Sequence, residues 1–166
     1  MALVSPLTQR PRFRIGVTLI AACLMTTPVW AAHKPETVPN RINGSARVVV
    51  AHAKTVTPRW ETNKWGDRLI VSRVVLEVEE TLKGSNTAEV AMDLDGGTLD
   101  GMTLRVSDLQ ALEPGDRAVF FLDDTGNGVA IPHLRGQGIL ELDDTDTVKG
   151  SSLHLDQIRG MARGQN

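Results

Sequence analysis

Alternation of hydrophobic and polar residues predicts a chain built mainly of β-strands. The segment 68–82 shows it best, with apolar residues on one face at a period of two and charged residues on the other: Ile70, Val74, Leu76 and Val78 against Arg73, Glu77 and Glu79. Such a pattern indicates a strand with one buried and one wet face. The turn residues 83–86 follow, and Val90, Met92 and Leu94 then resume the alternation. These two segments therefore predict a β-hairpin.

Shorter apolar segments between glycine and proline turns predict the remaining strands. They lie at 46–56, 102–106, 117–122, 129–131 and 138–142. The connection 57–66 contains Pro58, Asn63 and Gly66, which predict a loop or hairpin connection. Five or six short strands with glycine-rich turns favour a small OB-like barrel, closed or partly open, over a sandwich. We expect this barrel domain to cover residues 45–148.

A helix is predicted at the end of the chain, within residues 149–166. Ser152 is a suitable N-cap and Gly164 a suitable C-cap. The apolar residues between them recur at helical spacing: Leu155, Ile158, Met161 and Ala162. We expect this amphipathic face to pack on the barrel.

The first 31 residues have the pattern of a signal peptide. Basic residues precede an apolar run of 11 residues at 15–25, and the small residues Val29 and Ala31 predict cleavage before Ala32. The run is shorter than the ~20 residues that cross a bilayer, so no membrane span is expected in the mature chain. Residues 32–44 are polar and proline-containing, which predicts a flexible leader.

Cys23 allows a second interpretation of the same segment. Ile20-Ala21-Ala22-Cys23 is a tolerable lipobox, which makes the chain an envelope lipoprotein anchored through Cys23. Apolar Leu24 and Met25 after the cysteine are untypical of lipoproteins. Both interpretations place the protein in the periplasm or outside the cell. Cys23 is the one cysteine in the chain, so cleavage before Ala32 leaves no disulfide, thiolate nucleophile or cysteine-based zinc site.

The charge balance argues against nucleic-acid binding. The chain has 18 Lys and Arg residues against 20 Asp and Glu residues. Cleavage before Ala32 removes Arg10, Arg12 and Arg14 but no acid, which makes the mature net charge −5. An acidic protein without a stripe of basic residues binds the phosphate backbone of nucleic acids poorly. We expect a monomer with a single domain.

Several segments together resemble a known family. They are the run 74–84 that ends in Glu-Glu-Thr-Leu-Lys-Gly, Gly96-Gly97, Pro114-Gly115-Asp116 and Phe120-Phe121-Leu122. The set is similar to uncharacterised secreted bacterial domains that look like the barrel of the tissue-inhibitor-of-metalloproteinase and netrin group. The resemblance covers about 46–142 and implies an OB-like barrel. Related segments occur with secreted matrixin-type proteases.

The resemblance does not carry an inhibitory mechanism to this chain. Animal members of the group chelate the catalytic zinc with an N-terminal cysteine and its free amine. This mature chain is expected to start at Ala32, and lipidation and acylation of Cys23 would block both ligands. A fold of this kind hosts many unrelated functions, so function has to be argued from a site.

Catalytic and metal-binding patterns are weak in this sequence. No serine lies in a Gly-x-Ser-x-Gly motif, and no catalytic residue is assigned. The alternative is a secreted hydrolase that uses His133 with Asp123 or Asp124. The acidic segments at 93–97 and 143–146 lack the spacing of a calcium loop, so we expect neither metal nor cofactor.

Two tryptophans in the 57–66 connection give the strongest candidate for a binding site. The expected contact residues are Arg59, Trp60, Lys64, Trp65 and Arg68. Large aromatics next to cations form the kind of surface that OB-like folds use for ligands. Alternatively, one or both indoles fold back to cover a barrel end. We therefore expect a non-enzymatic binding module whose partner is a secreted protein, a protease or a peptide.

Overall fold

Strands dominate the computed structural model, which describes residues 35–164. The strands are β1 (Arg47–Thr62), β2 (Arg68–Lys83), β3 (Glu89–Asp95), β4 (Gly97–Leu99), β5 (Met102–Leu104), β6 (Arg117–Asp124), β7 (Ala130–Pro132) and β8 (Ile139–Glu141). The helices are α1 (Val38–Gly44) and α2 (Leu155–Arg163), with a short 3-10 helix at Arg135–Gly138. The signal peptide predicted at 1–31, Cys23 and the cleavage site before Ala32 lie outside the described residues.

Six of these strands form one sheet that closes in a ring. The strand order is β1-β2-β3-β7-β6, and β6 pairs back with β1 while β8 pairs with β6. The pairing of β3 with β7 is parallel and consists of Met92 opposite Ala130, whereas the other pairings are antiparallel. The predicted mainly β fold with a C-terminal helix is confirmed. The closed ring is compatible with an OB-like barrel.

The consecutive apolar residues of β1 are explained by burial on both faces. Val49 and Ala51 lie in a core cluster within the ring, which also contains Phe120. Val48 and Val50 belong to a second cluster formed with residues of both helices. A strand covered on both faces has an almost continuous apolar sequence.

The segment 57–66, predicted to be a loop or hairpin connection, is mostly strand. Pro58 pairs with Ser72 across the β1–β2 hairpin, and β1 ends only at Thr62. Proline is tolerated on an edge strand, where its missing N–H breaks no ladder bond. Within residues 35–164, β6 pairs with β1 only as far as His52, which leaves that edge without a strand partner at Pro58.

The prediction of a flexible leader at 32–44 is wrong for residues 38–44, which form the helix α1. The Thr37 hydroxyl caps this helix by accepting a hydrogen bond from the Asn40 N–H at 3.4 Å. Pro39 lies in the first turn, where no intrahelical donor is needed. Ile42 is only 1% exposed. Residues 38–44 contain too few apolar side chains to show a helical periodicity in the sequence. Burial of Ile42 against the rest of the fold therefore decides that this segment is helical.

The predicted C-terminal helix is confirmed as α2, but its N-cap is not the predicted residue. His154, not Ser152, is the N-cap, because its ring accepts a hydrogen bond from the Asp156 N–H while Gln157 completes a capping box. Gly164 is the C-cap, as predicted. Within residues 35–164, no helix is long and apolar enough to cross a membrane.

Candidate functional site

The β1–β2 hairpin extends well beyond the part of β1 that pairs with β6. That pairing ends at His52, whereas the pairing with β2 continues to Thr62. At about 3.3 Å per residue, these ten residues of β1 correspond to a strand segment about 33 Å long. The hairpin arm, as we call residues 55–75, carries the predicted binding residues.

A hydrogen-bonded turn closes the hairpin arm at residues 63–67. The Asn63 carboxamide oxygen accepts hydrogen bonds from the backbone N–H groups of Trp65 and Asp67, both at 2.9 Å. The Asn63 N–H donates to the Asp67 carbonyl at 2.9 Å, and Gly66 has a φ of +91°. Asparagine commonly fixes turns in this way, and glycine adopts the left-handed conformation without strain. The backbone beneath Trp65 is therefore preorganised.

Trp60 packs against the rest of the protein. Its indole Nε1 donates a hydrogen bond to Asp100 Oδ2 at 3.1 Å, and Asp100 lies in the turn between β4 and β5. The Arg68 guanidinium lies 4.6 Å from the centre of the Trp60 ring, which is a cation–π distance. For Trp60, the structure favours the folded-back interpretation. Sequence reasoning missed Asp100, which carries no motif.

Trp65 is oriented differently from Trp60. It is 75% exposed, and the Lys64 Nζ lies 4.5 Å from the centre of its ring. Within residues 35–164, its indole N–H makes no hydrogen bond. The structure thus separates the two tryptophans: Trp60 stabilises the hairpin arm, and Trp65 is free to contact a ligand.

Arg59, a predicted contact residue, is held by one carboxylate on β3 and one on its own strand β1. Its two Nη atoms donate to Asp93 at 3.0 and 2.9 Å, and Arg73 Nε donates to the same carboxylate at 2.6 Å. Burial raises the pKa of Asp93, but the hydrogen bonds from the two guanidinium groups outweigh it and hold the pKa below its ordinary value. Arg59 also bonds Glu61 at 2.7 Å. Its role is to brace β1, β2 and β3.

The hairpin of β4 and β5 supports the hairpin arm through close backbone packing. The Gly96 N–H donates to the Ile70 carbonyl at 2.8 Å, and Ser72 Oγ donates to the Gly96 carbonyl at 2.7 Å. A Cβ atom at Gly97 would lie only 2.6 Å from Ser72 Oγ. The two glycines of the resemblance therefore permit a close approach that fixes the arm.

The structure brings His133 and Asp123 together, but the end of α1 covers part of the imidazole. His133 Nδ1 lies 2.9 Å from Asp123 Oδ2, and the His133 side chain is only 15% exposed. The Nε2 edge faces Gly44, because a Cβ atom there would lie 2.7 Å from it. No serine or threonine hydroxyl within residues 35–164 bonds His133. The pair thus has the acid and base of a hydrolase without a nucleophile.

A polar groove of about 550 Å³ lies beside β6 and β8. Both cations that line it, Arg117 and Lys149, are paired with carboxylates. Arg117 donates to Glu79 at 2.9 Å and to Asp146 at 2.5 Å, and Lys149 pairs with Glu141. The hydrogen bond with Glu79 is the main reason why the pKa of Arg117 is raised. Within residues 35–164, no group of three or more histidine, cysteine or acidic side chains could hold a metal ion.

The most specific segment of the family resemblance, at the end of β2, has a structural role. Glu80 accepts hydrogen bonds from Arg159 of α2, at 2.8 Å from Nε and 2.7 Å from Nη2. Glu79 bonds Arg117 of β6, and Lys83 Nζ donates to three backbone carbonyls at the end of α1. This segment therefore fastens both helices to the sheet.

Comparison with known proteins gives no family assignment. No family model matches the chain, and no curated protein matches it at a significant level. The similarity to the metalloproteinase-inhibitor and netrin group remains a prediction from the sequence.

Proposed function

We propose that this protein is an exported, non-enzymatic binding module that contacts a protein or peptide through the tip of its hairpin arm. The observation that carries the proposal is Trp65, a 75% exposed indole on a turn fixed by Asn63. Export is supported by the signal-peptide pattern at 1–31. The family resemblance supports a secreted protein, such as a protease, as the partner.

The energetics of Trp65 suit a contact of this kind. Aromatic side chains bury about 150–250 Å² when they are enclosed, which corresponds to roughly 4–6 kcal/mol at about 25 cal/mol per Å². Tryptophan is enriched among the few interface residues that dominate binding energy. Because the turn is already ordered, little of this energy is spent on fixing the loop.

Co-purification of tagged protein tests the proposal. The full chain, its Trp65→Ala variant and an Ile131→Ala variant would be recovered from the cell envelope and the culture fluid. Ile131 is an exposed hydrophobic residue, 43% accessible, that lies on β7 and not on the hairpin arm. We expect a partner that binds the unmodified protein and Ile131→Ala but is lost with Trp65→Ala. A partner that Trp65→Ala retains in full would reject this contact site.

The mature N-terminus decides between the two proposed forms of export. Mass spectrometry that finds a free Ala32 supports cleavage by signal peptidase. A diacylglyceryl-modified Cys23 supports the envelope lipoprotein instead.

A hydrolase that uses His133 is the second candidate, because His133 and Asp123 are 2.9 Å apart. Its test is the pair of variants His133→Gln and Asp123→Asn, assayed for ester and peptide hydrolysis. Activity that both variants abolish, while the circular dichroism spectrum is unchanged, would support this candidate over the binding module.

A further inference from the structure

The acidic side chains near the tip of the hairpin arm are already engaged. Each carboxylate accepts a hydrogen bond from a neighbouring side chain: Glu61 from Arg59, Asp67 from Asn63 and Asp100 from Trp60. These bonds orient the acceptor oxygens towards groups of the same chain. One acceptor position of each of these carboxylates is therefore already used within the chain.

The cations Lys64 and Arg68 at the tip, unlike these acids, make no hydrogen bond to another side chain within residues 35–164. Lys64 and Arg68 are exposed, and each contacts the face of an indole, at 4.5 and 4.6 Å from the ring centre. Within residues 35–164, neither cation forms an ion pair with a carboxylate. A cation–π contact leaves most N–H donors of an ammonium or guanidinium group available. The tip thus presents one accessible indole with two cations whose donors have no acidic acceptor.

We propose, on the basis of the proposed function, that the partner's binding site is an acidic cleft. An apolar pocket in this cleft takes the Trp65 indole, and carboxylates at its rim accept hydrogen bonds from Lys64 and Arg68. Charge complementarity of this kind sets specificity and accelerates association. The indole supplies the contact area, and the two cations select a partner with acidic groups.

A protein cleft suits this surface better than an anionic membrane. Stable attachment to a bilayer takes two strong signals, such as an acyl chain with a polybasic patch. The tip offers one accessible indole and two cations, which is too little for such attachment. A narrow two-stranded arm with a single projecting aromatic side chain instead matches a concave site.

Selection from random peptides displayed on phage tests the proposal with defined probes. The full chain would be the bait, and peptides that also bind Trp65→Ala would be discarded. We expect the remaining peptides to be rich in Asp and Glu next to apolar residues. One fluorescein-labelled consensus peptide and its Asp→Asn, Glu→Gln counterpart would then be titrated by fluorescence anisotropy.

Variants of the two cations give the quantitative measurement. Lys64→Gln and Arg68→Gln should each weaken binding of the acidic peptide about threefold, and the double variant about tenfold. Arg105→Gln is the matched control, because Arg105 is exposed and lies in the loop after β5. Raising the ionic strength from about 0.1 to about 1 M shortens the screening length from about 10 to about 3 Å, so affinity should fall.

The outcomes separate this inference from the proposed function. Peptides that depend on Trp65 but show no acidic enrichment, or no effect of the two cations, overturn the acidic cleft and leave the binding module in place. Failure to select any Trp65-dependent peptide contradicts both. Binding to phosphatidylglycerol vesicles through Trp65, without peptide binding, overturns the cleft in favour of a lipid surface.

Discussion

Lys83 allows a direct test of how α1 is held on the sheet. Its Nζ donates hydrogen bonds to the carbonyls of Ile42 at 2.7 Å, Asn43 at 3.0 Å and Ser45 at 2.7 Å. The last carbonyls of a helix have no partner within the helix. Lys83 thus satisfies three acceptors at once and places a positive charge at the negative end of α1. Lys83→Met keeps most of the length of the side chain and removes all three donors.

The expected loss follows from these contacts. Hydrogen bonds to charged groups contribute about 1.5–3 kcal/mol each when they are well shielded from water. The bonds to Ile42 and Ser45 are partly buried and the bond to Asn43 is exposed, so solvent replaces part of the interaction. We therefore expect Lys83→Met to lower the free energy of unfolding by about 2–3 kcal/mol.

Urea unfolding followed by circular dichroism measures this difference. Lys54→Met is the matched control, because Lys54 makes one ion pair with Glu89 on the surface, and we expect it to leave stability unchanged. Hydrogen exchange of the Ile42 amide should accelerate in Lys83→Met, since α1 is the element released. A loss no greater than that of Lys54→Met, with Ile42 still protected, would refute the reasoning.

Three further predictions concern stability. Because the pKa of Asp93 is held below its ordinary value of 3.8, its stabilising effect is complete above about pH 4 and is lost as the pH falls through the lower folded value. Asp93→Asn should therefore flatten the acid limb of a plot of unfolding free energy against pH. Gly136→Ala should destabilise the fold by about 3 kcal/mol or more in urea, since its Cβ would overlap the Asp108 carbonyl oxygen. Gly160→Ala should raise the melting temperature through a gain of about 0.5–1 kcal/mol, because Gly160 is exposed within α2 and a Cβ there meets nothing within 4 Å.

The hairpin arm shows how far local patterns reach. Alternation in 68–82 correctly predicted β2, and the turn at 83–86 correctly predicted its connection to β3. Pro58 misled the prediction for 57–66, because proline opposes a central strand but not an edge strand. The edge position of Pro58 depends on where the pairing of β1 with β6 ends, which is not a local property.

In the candidate site, too, the sequence identified the residues and the tertiary structure decided their roles. The sequence singled out Trp60 and Trp65 by residue type and left open whether they bind or pack. Contact with Asp100, 40 residues away in the chain, buries part of Trp60. Trp65 stays exposed on a turn at the end of the hairpin arm. Asn63 fixes this turn by bonding the backbone N–H groups on either side of Gly66.

The sequence by itself determined the mainly β class, most of the strands and the C-terminal helix, since these follow from periodicity and turn residues over a few positions. Tertiary structure alone decided that residues 38–44 form a helix, that Lys83 caps it and that Arg59 braces the sheet. These features depend on side chains far apart in sequence that meet only when the ring of strands closes. No local pattern encodes such meetings, because the free energy they contribute exists only in the folded chain.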